Sequence, residues 1–264
     1  MCNLTARQIK VANISRVVLG GFFIMTMNGC LYLWGNIAPY VLSYFYLHGA
    51  TSLTLQNTVS VMPLMATVMM VLTTVSVVIT KYGFPAQATV LIGALISASG
   101  AFLASFMTSW TSFKLVYGVI VPIGFGLCYY PPLLCGWEWV PERRGMITGL
   151  VVGAFGFGAF TFGFVCYGSV NPNNEMPITL SDGNTMYGPD IAENVPLMLK
   201  RMSIAWVFLG VGSSLCLRRN PDFVAKEESE TFGQLDFLQA VKTGAFWRIF
   251  FMIFFSLVPA FYIS

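Results

Sequence analysis

An all-α, polytopic membrane protein is the fold class that this 264-residue sequence predicts, and three observations predict it. Charged residues make up only 9% of the chain and hydrophobic residues 56%, whereas ordinary soluble domains are roughly a quarter charged. Mean hydropathy is +0.72. The first acidic residue is Glu138, so the runs before it carry almost no charge. A soluble core of this size would need a polar shell that these residues do not supply.

A helix crosses about 30 Å of hydrocarbon with ~20 residues, so each long uncharged run is a candidate span. Six qualify, at 17–47, 56–79, 85–106, 115–139, 146–170 and 204–217. The first exceeds one bilayer and must tilt or project, and the sixth needs its flanks to reach across. A seventh run starts near Phe246 and continues to Ser264. The chain therefore divides into a tail at 1–16, a six-helix bundle at 17–217, a linker at 218–245 and the start of a seventh helix at 246–264.

Lysine and arginine set the orientation, because positively charged loops stay on the cytoplasmic side. With the amino terminus inside, only Lys114, Lys200 and Arg201 of the 14 basic residues fall outside. The first 16 residues read as a short cytosolic tail; Arg7, Lys10 and Arg16 without an acid also fit a mitochondrial presequence. Residues 169–200 form the one long outer loop, rich in Asn, Pro, Asp and Gly, and 232–241 have the spacing of an amphipathic helix on the membrane surface. The expected location is a plasma or organelle membrane.

A net charge of +3, scattered and without a basic block among aromatics, argues against nucleic-acid binding. The six cysteines form no CxxC or Cys/His ligand set and read as small apolar residues. There is no GxSxG, P-loop lysine or HExxH, and the lone His48 sits where the first outer loop begins. Neither an enzyme nor a metal or cofactor site is predicted.

Gly145, Gly149 and Gly153, followed by Gly156, Gly158 and Gly163, lie within a span, where small residues predict close approach of another helix. Asn28, Tyr32 and Asn36 recur every four residues in the first span and are expected on one face. Asn57, Ser60, Thr67 and Thr74 form a thinner polar stripe in the second span, and Tyr129 and Tyr130 follow Gly124 and Gly126 in the fourth. Polar side chains avoid lipid and face other helices or a watered cavity. Asn28, Tyr32, Asn36, Tyr129 and Tyr130 are the candidate substrate-binding residues; interhelical hydrogen bonding is the alternative for any one of them.

The stretch "WEWVPERRGMITG" gathers Glu138, Glu142, Arg143 and Arg144 within seven positions. Its tryptophans suit a helix end at the cytoplasmic interface, and Pro141 breaks the helix before a short charged turn. These four charges are the candidate topological anchor and gate, with Glu138 expected to pair with Arg143 or Arg144.

"WVPERRGMITG" resembles the signature between the fourth and fifth helices of the major facilitator superfamily, in its oxalate/formate antiporter and monocarboxylate transporter-like branch. "YLWGNIAPY" is similar to the first-helix segment of that branch, and "AVKTGAFWRIFFMIFF" to its lead into the seventh helix. The resemblance covers Arg16 to Phe255. It implies the amino-terminal six-helix bundle of a twelve-helix fold that works by alternating access, plus the start of a seventh helix. It also implies an aromatic box around the substrate, to which Tyr32 and Tyr129 correspond, with the pairing cations on later helices. The loop "TKYGFPAQ" keeps Lys81 and Gly83 but lacks the acid usual after the second helix of the superfamily.

These readings predict transport of a small organic anion, a mono- or dicarboxylate, by antiport or proton coupling. The expected partners are that anion, the lipid bilayer, and a second six-helix half or a partner membrane protein. The alternative is a non-transporting membrane scaffold or accessory subunit with a half-transporter fold.

Overall fold

The computed structural model describes residues 6–179 and 185–223, with 242–244, 247–248 and 251–252. The amphipathic helix expected at 232–241 and most of the seventh helix lie outside the described residues. The chain divides into two units, Met1–Asn220 and Pro221–Ser264. In the second, the rings of Trp247 and Phe251 lie 5.9 Å apart.

Among its described residues the first unit carries six helical segments long and apolar enough to cross a membrane: Gln8–Leu47, Leu55–Lys81, Ala86–Ala104, Trp110–Trp139, Pro141–Val170 and Pro189–Cys216. The first comprises α1 (Ala6–Asn28), a 3-10 turn (Gly29–Leu33) and α2 (Trp34–Leu47). The helix thus begins inside the segment read as a tail. The second comprises α3 (Leu55–Val59), opened by a Thr54–Asn57 capping box, and α4 (Val61–Lys81). The third is α5 (Ala86–Ala104). The fourth passes from α6 (Trp110–Leu115) through a π-helical turn (Val116–Ile120) to α7 (Val121–Trp139). A 3-10 turn (Pro141–Arg143) leads into α8 (Arg144–Val170). The sixth comprises α9 (Pro189–Ala192) and α10 (Val195–Cys216).

The sixth helix starts well before the position expected from hydropathy. Lys200 and Arg201 lie inside α10, where Lys200 Nζ sits 4.8 Å from the centre of the Phe106 ring and Arg201 donates to Ser169 Oγ at 3.2 Å. The outer loop is correspondingly shorter than 169–200, and it carries the antiparallel pair β1 (Ile178–Thr179) and β2 (Thr185–Met186).

Glycine and serine set the helix crossings, as expected where lipid offers no hydrophobic drive between helices. A Cβ on Gly29 would strike the Phe155 carbonyl of α8, and one on Gly158 would strike the Thr26 carbonyl of α1. Gly124 meets α5 at the Gly93 carbonyl, and Gly210 of α10 meets Ala94. Ser97 and Ser203 donate across helices to Val121 O and Ala98 O at 2.8 and 2.7 Å. Pro131 lacks the N–H that would bond Leu127 O within α7. Ser76 of α4 donates to that carbonyl at 2.8 Å, so the proline becomes a fixed point between two helices. By contrast Gly145, Gly149, Gly153 and Gly156, predicted to pack closely, leave a Cβ in open space.

Candidate functional site

The 3-10 turn at Gly29–Leu33 reorders the first span. Such a turn advances about 120° per residue instead of about 100°, so a four-residue spacing no longer keeps Asn28 and Tyr32 on one face. Asn28 is buried within the bundle, where its Nδ2 donates to Phe125 O at 3.1 Å. Its Oδ1 has no hydrogen-bond partner among the described residues. Tyr32 is 57% exposed, and Asn36 is exposed one turn farther along.

Tyr32 and Tyr129, from the first and fourth spans, converge on a residue the sequence reading did not single out. The Phe155 ring of α8 meets Tyr32 at 5.8 Å and Tyr129 at 5.9 Å, both edge-on. The result is a three-ring patch with two phenol hydroxyls, able to flank a flat apolar body and donate hydrogen bonds to its oxygens. Phe155 sits within a run of glycines and phenylalanines, and only the close α1–α8 crossing selects it. Tyr130 points elsewhere, its ring 6.3 Å from Trp137, whose Nε1 donates to Thr148 Oγ1 at 2.9 Å. The Trp34 of the first-span signature is buried, donates to Thr58 O at 3.0 Å and joins Phe113 and Tyr117 in an aromatic cluster. It holds helices together and does not reach the patch. The stripe of Asn57, Ser60, Thr67 and Thr74 is exposed, from α3 into α4.

Asn36 lines an open depression of about 490 Å³ at the end of the bundle that carries the 171–188 loop. Tyr40, Tyr167, Asn174 and Tyr187 complete its polar rim. His48, at the same end, contacts Tyr44 O through Nδ1 at 2.9 Å and lies 3.9 Å from Glu193.

At the opposite end, α7 stops at Trp139 and the Pro141–Arg143 turn follows, as expected from Pro141. Glu138 pairs not with Arg143 or Arg144 but with Arg219, beyond α10. Arg219 Nε donates to Oε1 at 2.7 Å with Nη2 2.5 Å away, and the Asn220 N–H donates to Oε2 at 3.0 Å. Asn220 Nδ2 donates to the Glu138 carbonyl at 3.1 Å, and Trp139 Nε1 to Arg218 O at 2.8 Å. Glu138 is 1% exposed, and these donors take the place of water around its buried oxygens. Glu142, Arg143 and Arg144 are exposed. Among the described residues no cluster of His, Cys, Asp or Glu side chains could hold a metal ion.

No family model matches the chain. Apicoplast pyruvate carrier 1 of Toxoplasma gondii is 26% identical over 247 residues, which cover 76% of this chain and 45% of that protein. Monocarboxylate transporter 12 of Mus musculus is 32% identical over 74 residues, 28% of this chain and 15% of the transporter. Monocarboxylate transporter 13 of Bos taurus is 36% identical over 83 residues, 31% of this chain and 19% of the transporter. The chain spans less than half the length of these relatives, which are named as carriers or transporters and not as enzymes. It is a multi-pass, carrier-like membrane protein distantly similar to them.

Proposed function

We propose that the six helices form one half of a major-facilitator-type transporter that moves a small monocarboxylate such as pyruvate across an organelle or plasma membrane, by exchange or with a proton. The similarity to a pyruvate carrier over three-quarters of the chain carries this reading. The Tyr32–Phe155–Tyr129 patch supports it: flat rings enclose the carbon skeleton while phenol hydroxyls bond the carboxylate, and no covalent step is needed. The exposed faces of α4 and α8 are where the second six-helix half of such a transporter would meet this one. The arginine-bearing end is cytosolic in this scheme, and the Glu138–Arg219 pair fastens the segment leaving α10 to the end of α7.

Uptake of labelled pyruvate into proteoliposomes tests the proposal. Tyr32→Ala and Tyr129→Ala are expected to lower uptake by about tenfold each, the order of one lost aromatic contact with its hydrogen bond. Unchanged uptake in both overturns the site assignment. Binding of pyruvate without flux favours an accessory subunit, which the same exposed helix faces would serve.

A further inference from the structure

The depression at the loop end supports a further conclusion, which rests on the organic-anion reading above. We propose that it is a second binding station, for organic anions with a planar body of aromatic size, one helical turn beyond the Tyr32–Phe155–Tyr129 patch. Asn36 follows Tyr32 by four residues, about 6–7 Å along an axis that passes from 3-10 to α geometry, and lines the depression. A volume of about 490 Å³ falls within the ~300–1,000 Å³ of ligand pockets. A three-carbon acid would fill only a small part of it.

The rim offers the chemistry such an anion needs. Tyr40 and Tyr187 stack at 4.3 Å, and Tyr167 meets Tyr40 edge-on at 6.1 Å, so three rings make up one aromatic wall of the depression, against which a flat ligand can pack. The phenol and carboxamide groups of Tyr167, Tyr187, Asn36 and Asn174 are neutral donors to a carboxylate. Among the described residues the lining contains neither a carboxylate to repel an anion nor an Arg or Lys to hold it fast, which suits capture followed by release.

Two rim residues come from the loop, and contacts outside the depression hold them there. The Tyr187 N–H donates to Ser43 Oγ of α2 at 2.9 Å. Asn171 brackets Glu175, donating from Nδ2 to its carbonyl at 3.0 Å and accepting its N–H at 2.9 Å, so the intervening Asn174 is fixed. Asn174 has φ +53°, a left-handed conformation that glycine adopts more readily. Its side chain is what the position adds beyond the turn.

Benzoate binding to the purified full chain in detergent, followed by titration calorimetry, tests the station. Asn174→Gly suits the left-handed turn, and Tyr167→Phe with Tyr187→Phe preserves the rings, so each removes donors while sparing the loop. Each change is expected to weaken benzoate by about fivefold, the order of one net hydrogen bond. Unchanged affinity in these variants with loss in Phe155→Ala places benzoate at the three-ring patch and overturns the station, leaving carboxylate recognition intact. Absent pyruvate flux with benzoate binding still sensitive to Asn174→Gly overturns the transport reading and keeps the station. No benzoate binding to the unaltered chain overturns the station outright.

Discussion

On one face of α8, Ile147, Val151, Ala154, Phe155 and Gly158 are buried against the bundle, whereas on the opposite face Gly145, Gly149, Gly153 and Gly156 would each place a Cβ in open space. Glycines lie on both faces, so glycine alone does not mark a packed surface. What distinguishes Gly158 is the carbonyl of Thr26 directly opposite, matched by Gly29 opposite the carbonyl of Phe155. The α1–α8 crossing is a reciprocal pair, in which each helix omits a side chain where the other presents backbone. The more regular spacing, at 145, 149 and 153, belongs to the face where an added Cβ would meet nothing within 4 Å among the described residues. The packed face also carries Phe155, so the crossing that sets the bundle sets the three-ring patch.

Gly158→Leu gives the largest effect expected from this contrast. Its side chain would have to enter the space of a main-chain carbonyl, which cannot rotate aside as a side chain can. Overpacking costs about 1–3 kcal/mol where neighbours can adjust, and this position falls at or above the top of that range. Loss of the monodisperse folded protein in size-exclusion chromatography, or a large drop in its thermal unfolding temperature, is the expected readout; a wild-type profile would break the contrast. Phe155→Ala comes next. Truncating Phe to Ala in soluble cores costs about 3–5 kcal/mol, but lipid is as apolar as the ring, so only lost packing counts and about 2 kcal/mol is expected from detergent unfolding curves. The same variant should cut pyruvate uptake more than its stability loss explains, because Tyr32 and Tyr129 lose their common support.

The two faces also show which features were legible in the residues. The number of spans, the end of α7 at Trp139 and the break at Pro141 follow from local hydropathy and punctuation, and among the described residues they stand as expected, although the first and sixth spans begin earlier than their hydropathy runs. The resemblance singles out Tyr32 and Tyr129 but not Phe155, whose ring contacts both of them. Features set by distant residues were not legible. Glu138 finds Arg219, 81 positions away, because α10 returns its end beside α7. The start of α10 was displaced because Lys200 and Arg201 interrupt the hydropathy run, although contacts with Phe106 and Ser169 accommodate both charges in the helix. Asn28 left the face of Tyr32 because five residues of 3-10 geometry shift the helical phase, which no residue spacing announces.

The smallest expected effect is the sharpest test of the open face. Gly153→Ala adds a methyl group with nothing within 4 Å and relieves the entropic cost of glycine in a helix, about 1 kcal/mol relative to alanine. The folded chain should therefore be unchanged or slightly more stable, with its thermal transition in detergent the same or a few degrees higher. Gly158→Ala, the identical chemical change five residues on, should lower that transition, because its methyl meets the Thr26 carbonyl. Opposite signs for one substitution on one helix would isolate the cross-helix carbonyl as the cause. Equal signs would mean that helix propensity, and not the α1–α8 crossing, governs both positions.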